Sequence, residues 1–340
     1  MKRLLGFIGV LGVLLAIAFF QAPQSAQSSP TKLASKHVAE KPRIGILQTQ
    51  SHPALDEIHR GVVAQLRRRG FRDGKTVTID FENAQGDQSN LQTMAQRFQT
   101  KKTALNIGIA TPAAQALANT NTQAPLILGA ISDPKAAGLV HDNRQPGTNV
   151  TGVSSRTPVK QQLQLIRQVL PDTKKLGVIY TSSDPSAQAE VAVLRHLAPQ
   201  FGFKLHRFTV ANSNDVDQVA QLAVQQVQAI YVPSDNTIAS ALQTLLNHTN
   251  QAKVPVFPAT AKQVQAGGLA SYGLDQYALG VATGNMAADV LQGKTQPAKT
   301  PIKTVAKGKL AINQKAAVAL GIKLPAAVTK QAQQKGVVYP

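Results

Sequence analysis

Two kinds of hydrophobic pattern alternate along this chain from residue 43 to about residue 291. Short apolar runs bounded by turn residues, at 43–48, 105–110, 125–131, 149–154, 175–180 and 229–232, read as strands buried on both faces. Between them apolar residues recur every three or four positions, as Leu55, Ile58, Val62 and Leu66 do, and these stretches read as helices with one face on a core. Helices are predicted over 53–69, 91–101, 112–119, 159–169, 185–201, 216–227, 237–251 and 277–291, and further strands at 76–81, 204–210, 255–257 and 269–273. Strand-helix units joined by short links predict an α/β chain of parallel sheets with helices on both faces.

The pattern runs once to Ser154 and starts again at Thr157-Pro158, giving two halves of roughly 110–120 residues, each large enough for its own core. Beyond Lys294 a strand or hairpin is expected over 301–311 and a short helix over 313–320. Residues 41–155 and 278–312 are assigned to a first lobe, 156–277 to a second, and 313–340 to a basic tail. The chain is expected to pass between the halves near 154–157, near 273–280 and once in the tail, which makes a hinge.

Several strands run into helices with almost no loop. At Ala110-Thr111-Pro112 the Thr supplies a side-chain cap and the Pro is pre-set for the first helical turn. In a parallel sheet such junctions lie at the carboxyl edge, where unpaired N–H groups and the positive end of the helix dipole hold an anion such as an amino-acid carboxylate. Comparable junctions stand at Ser51-His52-Pro53, Asp133-Pro134, Asp184-Pro185 and Ser234-Asp235-Asn236.

Composition narrows the setting. Lys and Arg number 36 against 17 for Asp and Glu in 340 residues, a formal charge of +19, while 43% of residues are hydrophobic and 4% aromatic. A balance this basic suits nucleic acid, an anionic membrane or an anionic cell wall. No basic region with interleaved aromatics of a nucleic-acid module is present, which favours the cell surface. Lys2-Arg3 followed by the uncharged apolar run 4–20 and a polar Gln/Ser/Pro-rich stretch has the order of a secretory signal, or of an anchor if it is not cut. Residues 1–40 are therefore assigned to a signal or anchor with its linker, and the protein is expected outside the cytoplasm. With no cysteine in the chain, disulfides, thiolate metal sites and a lipid-bearing Cys are excluded.

The segments SHPALD (51–56), FENAQGDQSN (81–90), ATPAAQA (110–116), ISDPKAAGLV (131–140), NVTGVSSRTPV (149–159), IYVPSDNTIASA (230–241) and GLDQYALG (273–280) resemble, in order, the extracytoplasmic substrate-binding proteins of the ABC transporter tryptophan/tyrosine-type family. The resemblance spans roughly 43–293. It implies a type I periplasmic-binding fold of two doubly wound lobes, a ligand that is often an aromatic amino acid, a permease and an ATPase as partners, no enzymatic activity and no cofactor. The lipobox Cys common in Gram-positive relatives is missing, and the tail is longer and more basic than the resemblance leads one to expect.

An amino acid needs donors for its carboxylate, an acceptor for its ammonium and an apolar wall. Thr111 with Pro112 and the following helix start, Ser132, and Ser182-Ser183 are the carboxylate candidates. Asp235 with Asn236 is the ammonium acceptor, with Asp133 or Asp275 as substitutes, since a buried ammonium is costly unless paired. Tyr180, Tyr231 and Tyr277 are candidates for the wall, with His52 beside it. Thr111, Asp184 and Asp235 also suit plain helix caps, and Asp275 a hinge brace. His52, Asp56 and His59 have helical spacing for a metal, but a cap and a surface pair explain them better. Ser154-Ser155 and Ser182-Ser183 lack the setting of a nucleophile elbow. A branched-chain amino acid or a sugar is the alternative ligand. A regulator of the same fold would need a DNA-binding head where residues 4–20 stand.

Overall fold

The computed structural model describes residues 41–120, 123–305 and 308–340; the signal or anchor segment expected over 1–40 lies outside them. The first lobe is a six-stranded parallel sheet in the order β11-β5-β4-β3-β1-β2. Its strands are β1 (Arg43–Gln48), β2 (Thr78–Asn83), β3 (Leu105–Ile109), β4 (Leu126–Ile131), β5 (Val150–Ser154) and the two-residue β11 (Lys303–Thr304). Helices α1 (Pro53–Arg68), α2 (Gln88–Thr100) and α3 (Thr111–Thr120) link the first four strands. Every residue of β3 and β5 is buried, as unbroken apolar runs require, whereas β2 lies at the edge and is only half-buried.

The second lobe opens with α4 (Val159–Val169) and holds the parallel sheet β7-β6-β8-β9, formed by β6 (Lys175–Thr181), β7 (Lys204–Val210), β8 (Ala229–Val232) and β9 (Val256–Pro258). Helices α5 (Pro185–Leu197), α6 (Val216–Val224), α7 (Asn236–Ser240) and α8 (Leu242–Gln251) flank it. The helix expected over 237–251 is two helices that turn at Ala241. The short α9 (Ala261–Gln265) has too few residues to show a period in the sequence. Beside β9 a second sheet, β10-β12-β13, begins with β10 (Ala270–Gly273), where Leu269 N donates to Val256 O at 2.7 Å.

The tail departs from expectation. The region 301–311 is not a hairpin: β11 pairs parallel with β5 in the first lobe, while β12 (Lys309–Asn313) pairs antiparallel with β10 in the second. A first lobe reaching to 312 and a separate tail from 313 are therefore corrected. The cause is apolar alternation: Leu310 and Ile312 are buried in the second lobe's core, together with Ala317 of α11 (Gln314–Leu320) and Val328 and Ala332 of α12 (Ala326–Lys335). The terminal β13 (Val337–Tyr339) closes this sheet parallel to β12.

Helix α10 (Gln276–Leu291) follows the second lobe in sequence but packs on the first, along α1. Glycines allow the close approach. A Cβ at Gly280 would stand 2.0 Å from Ile58 O, and one at Gly61 2.4 Å from Tyr277 O. The small residues of α10 are thus a contact surface, and Arg69 locks its far end through Asp289 at 2.7 Å and Asn285 at 3.0 Å. The chain passes between lobes after β5, after β10 and between β11 and β12.

Candidate functional site

In a parallel sheet the loops that leave the strands' carboxyl ends meet along one edge, and here the carboxyl edges of the two lobes face each other across a cleft. From the first lobe the cleft is lined by His52, Ala54, Leu55, Ile58, Ala110, Ala130 and Ser132. The second lobe supplies Ser186, Ser234, Asp235, Asn236, Ala239, Ala259, Thr260 and Gln263, and the crossing segments add Ser155, Thr157, Leu274 and Gln276. Among the described residues no Lys or Arg is in this lining.

The carboxylates are held on the second lobe. Asp235 caps α7: its Oδ1 accepts from Ile238 N at 2.9 Å and from Thr181 Oγ1 at 2.9 Å, and its Oδ2 accepts from Thr181 N. Asp184 caps α5 by accepting from Ser186 N at 2.8 Å and Ala187 N at 3.1 Å. Both are buried. Burial pushes Asp184 up to about 6, with the neighbouring Asp235 charge adding to it, and burial likewise raises Asp235. Glu190 of α5 lies behind the cleft, fully buried, where it accepts from Tyr231 OH and, at 3.1 Å, from Ser234 N. Burial raises its carboxyl too, against hydrogen bonds from Tyr231, Thr157 and Ser234 that favour the ionised form.

Among the described residues the first lobe presents no charged side chain to the cleft. Helix α1 starts at His52-Pro53 with no side-chain cap, so the first-turn N–H groups of Ala54 and Leu55, two residues that line the cleft, have no competing side-chain acceptor. His52 has its pKa lowered, chiefly by burial, and is the neutral imidazole near pH 7. Its Nε2 lies 3.2 Å from Asn236 Oδ1, while Asn236 Nδ2 donates to Asp184 Oδ2 at 3.3 Å. With the Asn amide so oriented, Nε2 is the protonated nitrogen, an assignment made from the network. Ala110 and Ala130, at the ends of adjacent strands, have φ of 70° and 63°. Such left-handed alanines cost on the order of 1 kcal/mol each and gather at ligand sites.

Three further contacts tie the lobes together. Thr111 Oγ1 and Ser186 Oγ are 2.7 Å apart and buried, Gln50 Nε2 donates to Asn236 O, and Lys262 Nζ lies 3.1 Å from Glu57 Oε1.

Of the residues singled out from sequence, His52, Ser132, Asp235 and Asn236 come together in the cleft. Thr111 is buried in the contact with Ser186 beside it. Pro112 and Ser183 line a wider polar recess at the outer part of the interlobe gap, and Ser182 is exposed, its hydroxyl 3.4 Å from Val210 O. Asp133 is turned away, accepting from Ala136 N at 3.1 Å in its own turn. Asp275 caps α10 through Ala278 N and pairs with Lys309 at 3.3 Å, which braces two of the crossings.

The expected tyrosine wall is corrected. Tyr180 and Tyr231 share strand parity with Leu176, Val178 and Ala229 and so pack into the second lobe's core, and Tyr277 is half-buried on α10 outside the cleft. The wall is aliphatic: Leu55, Ile58, Leu274 and the alanines, with His52 as the ring. Asp56, which with His52 and His59 has helical spacing for a metal, accepts from Gln48 at 2.7 Å and Ser51 at 2.9 Å, while the His59 ring stacks on Phe81 at 4.0 Å. Ser186, Thr260, Gln263 and Gln276 also line the cleft without having stood out in the sequence, and Ser155, Thr157 and Ser234 join them from the stretches 154–158 and 234–236. Ser186 and Thr260 had a usable signal, since each stands at a helix start.

This geometry is that of a two-lobed receptor that holds a small molecule between its halves. Residues 43–336 match the family described as ABC transporter substrate binding protein. The chain is 33% identical over 315 residues to a tyrosine-binding protein of Clostridioides difficile (strain R20291), covering 92% of this chain and 90% of that one. An ABC domain from Streptococcus pneumoniae in complex with L-Trp superposes with a TM-score of 0.85 at 40% identity, over 88% of this chain and 100% of that one. The ligand-free, open structure of a Clostridium difficile substrate-binding protein with adhesive properties gives 0.67 at 35% identity, over 88% and 99%. The chain belongs to the ABC transporter substrate-binding protein family, whose members are receptors rather than enzymes, and has its type I periplasmic-binding fold.

Proposed function

We propose that this protein is the extracytoplasmic receptor of an ABC importer for an amino acid with a large apolar side chain, tryptophan or tyrosine first. The observation that carries this reading is the charge asymmetry of the cleft: buried Asp235 on one side, with Asp184 buried in the adjoining recess, no basic side chain among the described residues of the lining, and an aliphatic wall opposite. A buried carboxylate without a cationic neighbour calls for one, and a ligand ammonium placed against Asp235 answers it. The ligand carboxylate faces the uncapped start of α1, Ala54 N and Leu55 N, with the Ser132 hydroxyl beside it. The side chain then lies along Leu55, Ile58 and Leu274. The names of the relatives, one bound to L-Trp and one tyrosine-binding, support the aromatic class.

A branched-chain amino acid is the second reading, favoured by the absence of an aromatic wall; a sugar loses ground for the same reason, because sugar rings are gripped by stacking. Closure follows from the crossings. A ligand touching both lobes favours the closed arrangement, and Thr111–Ser186 and Gln50–Asn236 are contacts that only lobes drawn together make. The higher overlap with the L-Trp complex than with the open, ligand-free relative, at comparable identity, supports this. In this reading the protein is exported, is held at the outer face by residues 4–20 or released after cleavage, meets an anionic cell surface with its positive charge, and delivers to a permease and ATPase.

Melting the purified protein in a panel of amino acids and sugars tests the proposal, because a ligand bound only by the folded form raises Tm by mass action. Tryptophan or tyrosine is expected to raise Tm, and Asp235→Ala to abolish the rise. A response to sugars alone would overturn the reading, and a leucine or isoleucine response above that of the aromatics would hand it to the second.

A further inference from the structure

The positive charge is placed as unevenly as the negative. On the first lobe's amino edge, the one opposite the cleft, Arg67, Arg68, Arg72, Lys75, Lys102 and Lys294 are all exposed, and none makes an ion pair among the described residues. Topology gathers them: the last turns of α1, α2 and α10 and the loop before β2 all end at the side where a parallel sheet's strands begin. The carboxylates nearby are engaged. Asp80 takes Arg43 and Lys101, Asp289 takes Arg69, and Asp73 accepts from Ile79 N. The second lobe's amino edge is also basic, with Lys174, Lys175 and Lys204 exposed. What separates the two edges is where the chain leaves. Lys41, the first described residue, sits on the first lobe's edge with its Nζ on Gly74 O, and from there the polypeptide runs back through a polar stretch to the apolar run 4–20.

From this juxtaposition we infer that the first lobe's amino edge is a docking face for anionic phospholipid headgroups. The inference goes beyond the receptor reading and rests only on its export clause. The apolar run sets where the chain is attached, and a polar link of some twenty residues, reaching up to about 70 Å if extended, does not by itself hold the domain down. Basic side chains facing an anionic leaflet contribute roughly 1 kcal/mol each within a Debye length, enough in a cluster to set a preferred pose. In that pose the first lobe lies nearest the bilayer, the second farthest, and the cleft opens along the membrane plane.

The absence of cysteine makes the test direct, since one introduced thiol labels one place. The full-length chain carrying Thr100→Cys, on the proposed face, or Val318→Cys, on exposed α11, is labelled with a fluorophore and reconstituted into vesicles containing a headgroup-quencher lipid. With phosphatidylglycerol present, quenching of the Thr100 label is expected to exceed that of the Val318 label at least about threefold. The excess should vanish in zwitterionic vesicles, in 1 M salt and in the Arg67→Glu/Arg68→Glu/Lys102→Glu variant, whose Tm should match the parent because all three side chains are exposed. Equal quenching of both labels overturns the inference, as does an excess that survives salt. An excess of the Val318 label over the Thr100 label that Lys174→Glu/Lys204→Glu abolishes instead assigns the membrane to the other edge. Retention of the triple variant's quenching with lost binding to soluble poly(glycerol phosphate) assigns the patch to a wall polymer. The amino-acid melts give their answer whichever of these occurs.

Discussion

The two lobes share one architecture and bring opposite chemistry to the cleft. The second lobe commits its acids: Asp235 and Asp184 are each fastened by backbone N–H groups at a helix start, with Glu190 behind them. The first lobe brings an uncapped helix, an uncharged imidazole, a hydroxyl and aliphatic carbon. The second lobe is a preorganised electrostatic half, fixed before a ligand arrives, and the first is a receptive half that gains its partners on closure. Preorganised carboxylates cost folding free energy. For Asp184 the folded-state value near 6 lies above the unfolded one, so the protonated group favours the fold below the unfolded pKa. That contribution, on the order of 3 kcal/mol, is lost as pH rises from about 4 through about 6.

The largest effect expected from breaking the asymmetry is on Asp235. Asp235→Ala should weaken amino-acid binding by about 100-fold or more and cost roughly 1–3 kcal/mol of stability, since Thr181 N and Ile238 N lose their acceptor in a buried setting. Calorimetric titration and denaturant melts separate the two losses, and unchanged affinity would remove Asp235 from the ammonium role. Next comes Asp184→Asn, which keeps a good helix cap but cannot ionise. Its stability should exceed the parent's by roughly 1–3 kcal/mol at pH 7 and converge with it near pH 4, as read by melts across that range.

A smaller effect belongs to the contact that joins the halves. Thr111→Val should lower affinity about fivefold, roughly 1 kcal/mol, by removing a buried hydrogen bond of the closed arrangement. A double-mutant cycle with Ser186→Ala should recover a coupling of about that size, and no coupling would mean the two hydroxyls do not report closure. The smallest change is Lys262→Ala, which breaks a partly exposed interlobe ion pair with Glu57 and should shift affinity by no more than about 0.5 kcal/mol, vanishing in high salt.

Much of this molecule is written locally. Apolar runs and the three-to-four-residue period specify β1, β3, β6 and β8 with their helices, because a strand buried on both faces and a helix with one apolar stripe each leave a pattern within a few residues. Cap chemistry located Asp235 and Asn236 in the cleft for the same reason: a side chain that satisfies its own helix start betrays both the start and the edge where it stands. Other features were set by residues far apart. The tail's place in the second lobe depends on β10 accepting β12, a pairing no local signal carries. The tyrosines fell into the core because strand parity, not residue type, decides which face a ring takes. The charge asymmetry of the cleft and the basic opposite edge exist only once three crossings bring the two carboxyl edges together and turn the amino edges outward, since the potential at a point depends on distances that the chain's order does not contain.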